Sequence, residues 1–369
     1  MKITCNSQLL NEACQNVQRV VSTKTSIPAI EGILLKAVDG TLQLTGYDLE
    51  VGIVTTTDVN IEQEGAIVLN ARLLCDILRR LPGDLVTIEA DERQLCIIRS
   101  GDIEYKLVGI AAEEYPELPN ITDLRPVLVD SDILSNMIRQ TIFAVSVNDT
   151  KMIHNGIKFE ITAGQLRLVA VDGFRLAIRT EPIEYTGEEF SFVVPAKTLS
   201  EVIKLLDGSE VVSMNVAKRH IIFEIGTYRV LSRLLDGDFL DYRAALPKSS
   251  STTAIVNVKE FIGSVDRTSL LITDRLKSPL RCIFDDNTIR ISSTTSLGSA
   301  DDRIGAQIDG NRVEIGFNNR FLLDAFRACD GEEVKISLNG SLSPITIVPT
   351  EGEKFLFLIL PVRLRNEKN

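Results

Sequence analysis

Three stretches decide the fold of this 369-residue chain: NARLLCDILRRLPG at 70–83, PAKTLSEVIKLLDG at 195–208 and NNRFLLDAFRACDG at 318–331. Their basic, apolar and acidic positions coincide without a gap, and they start 125 and 123 residues apart, close to one third of the chain. A period of this length is a whole domain rather than a solenoid repeat. The sequence therefore predicts three tandem copies of one module.

Each stretch has a basic residue at its third position and another seven residues later. Seven residues make about two helical turns, so both cations lie on one side of a short helix and the apolar positions form the opposite stripe. The cations are Arg72 and Arg79, Lys197 and Lys204, and Arg320 and Arg327. The apolar positions are Leu74, Ile77 and Leu78, then Leu199, Val202 and Ile203, then Leu322, Ala325 and Phe326.

A solvated helix face is the simplest interpretation of such cations on any single helix. Local pairing is a competing explanation, because an acidic residue follows the first cation by four positions in each copy, at Asp76, Glu201 and Asp324. Repetition of the cations in all three copies favours a shared function for this face.

The surroundings of each helix predict the content of a module. Alternating runs at 85–90, 94–100 and 103–110 predict a meander after the first helix, and a second helix over 7–22 with its own meander lies upstream. The predicted fold class is α+β, with two helices of each module packed on antiparallel sheets. The expected modules span residues 1–122, 123–249 and 250–369.

Composition describes an ordinary globular protein. The apolar fraction of 44% is ample for buried cores. The net charge of −11 argues at face value against a nucleic-acid partner, since such domains are usually basic. The net charge does not show how the charges are distributed, however. Cations gathered on one surface can hold a phosphate backbone while the surplus carboxylates lie elsewhere.

Cofactors and membranes are not expected partners. The N-terminus MKITCNSQLL has no signal-peptide pattern, and no run of about 20 apolar residues could span a bilayer, so we expect a cytoplasmic protein. The six cysteines lie at apolar positions without C-x-x-C spacing, which predicts buried reduced thiols and no metal. Only two histidines are present.

An enzyme is the first alternative function. Three acidic sites could serve metal or acid–base chemistry: Asp172-Gly173, the pair Asp285-Asp286 and the pair Asp301-Asp302. Asp pairs between strands are more often turns, and no Gly-rich phosphate loop or nucleophile elbow is present. We therefore predict no catalytic residue. A scaffold that binds only proteins is the second alternative; it explains the repeat but not the recurring cations.

The module geometry predicts a ring. Helices that bury their apolar stripes on a sheet leave their polar faces exposed together, so three modules form a curved strip with six helices inside. Free sheet edges at both ends of the strip would be closed by head-to-tail pairing of two chains. Twelve helices about 10 Å apart enclose a hole of roughly 25–30 Å, wide enough for a nucleic-acid duplex of roughly 20 Å.

Motifs along the whole chain resemble one family, the bacterial sliding clamps, which are the beta subunits of replicative DNA polymerase holoenzymes. They are Ile27-Pro28, LTGYDLE at 44–50, YPEL at 115–118, VDGFRLA at 171–177, DYR at 241–243, IGFN at 315–318 and LPVRL at 360–364. The resemblance implies a non-catalytic homodimeric ring that encircles duplex DNA without sequence preference. It also implies that short linear motifs of the replicative polymerase, the clamp loader and repair proteins bind a groove, which confers processivity.

The resemblance implies a DNA-facing inner wall. Its candidate cations are Lys24, Arg72, Arg79, Arg139, Lys151, Lys197, Lys204, Arg267, Arg320 and Arg327. Lys24 and Lys151 match family positions associated with DNA contact. Met152 and Ile153 occupy places where relatives can carry tyrosines, so aromatic DNA contacts are not implied here.

The resemblance also implies the members of the peptide groove: Val171, Gly173, Phe174, Arg175, Leu176, Pro247, Asn318, Phe321, Leu342, Pro344, Leu358, Leu360, Pro361, Val362 and Arg363. A mostly apolar set with few polar anchors suits an extended peptide, although each aliphatic member could serve core packing alone. Phe174 and Phe321 replace a histidine and a tyrosine common in relatives, which removes a hydrogen-bonding end at each position.

For the joint between two chains, the resemblance implies that Tyr105 and Leu107 meet Leu271 and Ile272 of a partner chain. The alternative is that these side chains pack within their own modules. Residues 365–369 extend past the point where related chains often end, and they could cover part of the groove.

Overall fold

The computed structural model describes residues 1–147, 151–206, 208, 211–273 and 278–364. Residues 365–369, the possible cover of the groove, lie outside this part. The described residues contain six α-helices, two for each repeat of the sequence. They are α1 (Ser7–Gln18), α2 (Ala71–Leu78), α3 (Ser131–Ile142), α4 (Ala196–Leu205), α5 (Val258–Thr268) and α6 (Asn319–Arg327).

The strands pair antiparallel in every ladder that the structure describes. They are β1 (Lys2–Asn6), β2 (Gly32–Val38), β3 (Thr41–Tyr47), β4 (Val51–Asp58), β5 (Asn60–Gln63), β6 (Gly65–Asn70), β7 (Leu85–Ala90), β8 (Leu95–Ser100), β9 (Ile103–Val108), β10 (Arg125–Asp130), β11 (Gly156–Thr162), β12 (Gln165–Val171), β13 (Arg175–Pro182), β14 (Phe190–Pro195), β15 (Val211–Val216), β16 (His220–Ile225), β17 (Tyr228–Arg233), β18 (Thr252–Asn257), β19 (Leu280–Asp285), β20 (Thr288–Thr295), β21 (Gly298–Gly305), β22 (Gln307–Gly310), β23 (Val313–Phe317), β24 (Glu333–Leu338), β25 (Ile345–Pro349) and β26 (Phe355–Ile359).

The chain divides into two compact units. The first comprises Met1–Asp132 and Lys197–Leu234 and contains a five-stranded sheet, β5-β1-β7-β8-β9, and an eight-stranded sheet, β10-β15-β16-β17-β4-β3-β2-β6. In the eight-stranded sheet, β17 pairs with β4, so Val230 lies opposite Ile53. Strands from the first and second sequence repeats therefore share one sheet.

The second unit comprises Ile133–Ala196 and Leu235–Asn369. It contains a nine-stranded sheet, β14-β11-β12-β13-β26-β25-β24-β18-β22, and a four-stranded sheet, β21-β20-β19-β23. Here β13 of the second repeat pairs with β26 of the third, with Leu176 opposite Leu358. Sharing a sheet between repeats pairs backbone groups that a single module would leave at an open edge.

Asparagine side chains begin four of the helices. Asn6 caps α1, Asn70 caps α2, Asn257 caps α5 and Asn318 caps α6, each by accepting a hydrogen bond from a backbone N–H of the first turn. Such a cap satisfies a donor that has no partner inside the helix and contributes about 1 kcal/mol. The asparagine fixes where these four helices begin.

The apolar stripe predicted for α2, α4 and α6 faces the core. Eight of its nine positions are buried, and Ile203 is half-buried. The six cysteines are free thiols, five of them buried and Cys329 half-buried. Burial raises the pKa of Cys5 to about 11 and that of Cys282 to about 12, so both thiols stay protonated at neutral pH. None of the helices in the described ranges is both long and apolar enough to cross a membrane.

Two phenylalanines join α5 to α6. The rings of Phe261 and Phe326 stack with centroids 3.9 Å apart, and each side chain is at most 1% exposed. We expect Phe326→Ala to lower the free energy of unfolding by about 3–5 kcal/mol, because it removes the stacked ring and leaves a cavity. Urea unfolding measures the change. Leu297→Ala, at a residue 68% exposed, is the control and should change stability by less than about 0.5 kcal/mol. An equal effect of both changes would contradict the packing described.

Candidate nucleic-acid interface and peptide groove

All ten predicted DNA-facing cations are exposed. Seven lie within helices α2 to α6, and Arg79 is the C-cap of α2. Lys24 lies between α1 and β2, and Lys151 precedes the 3₁₀ turn Met152–Asn155. The cations of the repeated helices therefore occupy the faces opposite the buried stripes.

Two of the three acidic residues that offered a local explanation pair with the second cation of their own stretch, and the third pairs with Arg175. Asp76 lies 3.6 Å from Arg79 and 3.4 Å from Arg80, and Glu201 lies 2.9 Å from Lys204. Asp324 accepts a hydrogen bond from Arg175 at 2.5 Å. Ion pairs of exposed cations contribute at most about 1 kcal/mol, so Arg79 and Lys204 remain available to a phosphate backbone.

Three more of the cations have acidic partners from other elements. Lys197 pairs with Asp48 of the LTGYDLE stretch, whose other oxygen accepts from backbone N–H groups. Arg267 donates to Asp302 on β21, and its hydrogen bond lowers the pKa of that carboxyl. Arg327 contacts Asp266 at 3.1 Å. Sequence spacing could not reveal these partners, because each lies far away along the chain.

A tight turn between β12 and β13 contains the first residues of the predicted groove. Gly173 adopts a φ of 85°, a conformation that disfavours other residues, and Asp172 Oδ1 accepts from the backbone N–H groups of Phe174 and Arg175. This turn leaves the ring of Phe174 60% exposed, 6.0 Å from the ring of Phe321.

Arg175 supports this aromatic pair. Its guanidinium donates to Asp172 and Asp324 and lies 4.6 Å from the centroid of the Phe321 ring. It also lies 5.6 Å from the ring of Phe143, a residue that the sequence did not single out. A guanidinium over a ring face is favourable, so Arg175 stabilises the position of the Phe321 ring.

The floor of the groove is one apolar cluster. Val171, Leu176 and Leu358 are buried together with Val169, Ile178 and Tyr242, and Phe239, Leu246 and Leu356 pack against them. The role of Tyr242 was missed, although the DYR stretch at 241–243 was recognised. The order of motifs along the chain draws attention to such a residue, but it does not show which strands the side chain packs against.

The C-terminal segment forms the second wall. The backbone N–H of Leu360 donates to Phe174, and that of Val362 donates to Gly316. Leu360 therefore lies beside the aromatic pair, and Val362 lies beside Gly316 at the end of β23; the side chains of both are exposed. Other predicted members line neighbouring recesses: Leu342 and Arg363 one of about 750 Å³, and Asn318 and Val362 one of about 310 Å³.

Two predicted groove members lie in a separate recess. Pro247 and Pro344 line a space of about 230 Å³ with Lys248 and Asn339. The structure thus brings the 171–176 turn, Phe321 and the C-terminal segment into contact. Pro247 follows Leu246, which packs against the floor.

The four residues predicted at the joint are half-buried. Tyr105 and Leu107 lie on β9, an edge strand of the five-stranded sheet that has no buried residue. Leu271 and Ile272 lie at the end of the 3₁₀ turn Ser269–Leu271 that follows α5, beside Leu270, which is 80% exposed. Each pair is accessible within its own unit.

Family models match nearly the whole chain. They are described as DNA polymerase III beta subunit, N-terminal domain (residues 1–119), central domain (128–241) and C-terminal domain (243–363). The beta sliding clamp of Bacillus subtilis is 35% identical over 98% of this chain and all of that protein. The beta sliding clamp of Staphylococcus aureus is 29% identical over 98% of this chain and 99% of that protein.

Solved structures agree with these relatives. The DNA polymerase sliding clamp of Bacillus subtilis matches with a TM-score of 0.96 at 35% identity, over 99% of this chain and all of that one. A sliding clamp of Pseudomonas aeruginosa bound to griselimycin matches with a TM-score of 0.93 at 27% identity, over 99% and 100%. Three clamp domains of helices on antiparallel sheets are thus confirmed. The chain belongs to the DNA polymerase III beta subunit family, the bacterial sliding clamps. That membership makes it a non-catalytic processivity factor.

Proposed function

We propose that two copies of this chain close head to tail into a ring that encircles duplex DNA in the cytoplasm. The ring slides without reading sequence and tethers the replicative polymerase, the clamp loader and repair proteins. The observation that carries the proposal is the repetition of exposed cations on the helices of a chain whose net charge is −11. Weak phosphate contacts from such cations centre a ring on DNA without halting it.

Edge strands support closure by a second chain. β9 ends one sheet of the first unit and β21 ends one sheet of the second. In our proposal Tyr105 and Leu107 of one chain meet Leu271 and Ile272 of its partner, and the same contact recurs at the second joint. Apolar side chains beside an unpaired edge are typical of the core of such an interface.

The groove supports tethering of partners. Phe174, Leu360 and Val362 expose apolar surface beside a buried floor, which suits capture of the Leu or Phe side chains of an extended motif. We infer that griselimycin, which binds the Pseudomonas aeruginosa clamp, also binds this chain in the groove. The loss of hydrogen-bonding ends at Phe174 and Phe321 favours more apolar motifs than relatives take.

Salt dependence of DNA binding tests the inner wall. We expect the triple variant Arg72→Ala, Lys197→Ala, Arg320→Ala to have a shallower slope in a plot of log affinity against log salt concentration. The slope should decrease in magnitude by about 0.9 for each phosphate that the variant no longer neutralises. Fluorescence anisotropy with a labelled duplex measures the slope. The matched control removes the same charge from exposed positions outside the helices, with Lys36→Ala, Lys218→Ala and Lys354→Ala. Equal slopes for the two triple variants would refute the assignment.

A further inference from the structure

The apolar cluster of the groove floor extends along the sheet beyond Leu176 and Leu358. Leu176 on β13 lies opposite Leu358 on β26, and Ile178 lies opposite Leu356 on the same two strands. Residues two apart on a strand point to the same face and are about 7 Å apart. The pair Ile178 and Leu356 therefore continues the groove floor along the same face of the sheet.

Ile178 and Leu356 form part of the lining of an open pocket of about 640 Å³. Its lining is mostly apolar with charged groups at the rim: Arg167, Ile178, Thr180, Tyr242, Arg243, Leu246, Lys335, Val348, Pro349, Thr350, Gly352, Glu353, Phe355 and Leu356. The volume lies within the range of ligand sites. Tyr242 lines the pocket and also packs in the cluster of the groove floor, so the two sites share a wall.

One buried carboxylate organises the cations of this pocket. Glu160 is 8% exposed and accepts hydrogen bonds from Tyr242 at 2.8 Å and from Arg243 at 2.9 Å. It also lies 2.9 Å from Lys158 and 3.8 Å from Arg167. Burial raises the pKa of Glu160, but the hydrogen bonds and nearby cations outweigh burial and leave its pKa below the usual value. A single negative charge is thus shared by three cations.

Lys335 adds a further positive charge. It lies on β24 opposite Val348, is half-buried and lines the pocket. Within the described ranges, no carboxylate lies within 4.0 Å of its ammonium group. The lining contains three cations, Arg167, Arg243 and Lys335, but one acidic residue, Glu353. An anionic group in the pocket would therefore complete the charge balance.

We propose that this pocket docks a segment of a protein partner in which an apolar side chain stands next to a carboxylate. The apolar side chain would pack on Ile178 and Leu356, and the carboxylate would meet Lys335. The proposal rests on the proposed function in one respect: the segment flanks the motif held in the groove. Two sites that share a wall let one partner chain occupy both, and tethering at the first raises the effective concentration at the second.

The test uses the full chain saturated with griselimycin, so that the groove is occupied, and the peptide Ac-Asp-Phe-Asp-NH2 as probe. Methyl NMR should show shifts at the pocket methyls of Thr180 and Val348, which line the pocket and lie outside the cluster of the groove floor, and none at Leu360 and Val362. The matched peptide Ac-Asn-Phe-Asn-NH2 should bind at least about tenfold more weakly, because it lacks the carboxylates. Equal binding of the two peptides, or no shift at the pocket methyls up to about 10 mM peptide, would overturn the proposal.

Lys335→Met tests the charged contact and retains the length of the side chain. It should weaken the acidic peptide about tenfold, leave the amide peptide unchanged and leave the melting temperature unaltered. Lys248→Met, at an exposed lysine outside the lining, is the control and should change nothing. If the free acid 4-phenylbutyrate bound more tightly than the peptide, the pocket would be a small-molecule site. That result would overturn the proposal that a protein segment docks there.

The methyl signals also separate this proposal from the one for the groove. Peptide shifts that move from the pocket methyls to Leu360 and Val362 when griselimycin is omitted would place the peptide in the groove and refute a separate subsite. Failure of griselimycin itself to shift Leu360 and Val362 would refute only our assignment of its site, because the pocket methyls report the peptide independently.

Discussion

A chain carrying Leu271→Asp and Ile272→Asp is expected to sediment as a monomer at concentrations where the unaltered chain is a dimer. In the joint that we propose, two carboxylates would lie at the centre of an apolar contact and lose hydration without gaining a partner, at a cost of several kcal/mol. A head-to-tail dimer contains this contact twice, so the loss is doubled. Sedimentation equilibrium over a concentration series measures it.

Complementary variants sharpen this prediction. Tyr105→Asp with Leu107→Asp should also give monomers, because it alters the opposite side of the same joint. An equimolar mixture of the two double variants contains one combination with an intact joint, so dimers should reappear, held at one joint only. Leu128→Asp, at an exposed apolar residue elsewhere, is the control and should leave the dimer unchanged. A dimer that survives both double variants would contradict the assignment of the joint.

Loss of partner binding is expected when the exposed wall of the groove is changed. Leu360→Asp combined with Phe174→Ala should weaken griselimycin and the cognate polymerase by at least about 100-fold, or about 2.7 kcal/mol. The change removes an aromatic anchor and places a charge beside the buried floor. Isothermal titration calorimetry measures griselimycin, and surface plasmon resonance measures the polymerase.

The exposure of the altered residues makes this test specific. Phe174 is 60% and Leu360 36% exposed, so the variant should keep the dimer and its melting temperature. Leu358→Asp would be a poor choice, because Leu358 is buried in the floor and its loss would unfold the sheet locally. Unchanged affinity in the folded double variant would show that partners bind elsewhere.

Local sequence patterns predicted the helices well because the apolar spacing that indicates a helix lies within the helix itself. The repeated stretches form α2, α4 and α6, and their stripe is buried as the spacing indicated. The 7–22 helix ends earlier, at Gln18, because Arg19 already serves as its C-cap. The sequence predicted the elements more reliably than their exact ends, which depend on capping and on the following loop.

The compact units could not be predicted from the repeats. The second repeat contributes β17 to one unit, through pairing with β4, and β13 to the other, through pairing with β26. These pairings join residues far apart in sequence, and alternation of apolar positions does not reveal which strand lies alongside. The module boundaries at 122 and 249 thus remain a proposal about sequence repeats.

Candidate sites showed the same contrast. Exposure of the cations followed from helical spacing, whereas the partner of Lys197, Asp48, is known only from the structure. The resemblance implied that Phe174 belongs to the groove, but the packing of Tyr242 on Val169, Leu176 and Leu358 is known only from the structure. Contacts between distant segments, rather than local periodicity, complete the groove.

Retention on circular DNA tests the central claim most directly. The chain, loaded onto a nicked circular plasmid by its cognate clamp loader, should remain bound through gel filtration at about 0.5 M salt, because a closed ring cannot leave a circle although its phosphate contacts are screened. A single cut in the plasmid should release it within minutes. Equal retention on circular and linear DNA, or no retention on either, would contradict a ring that encircles the duplex.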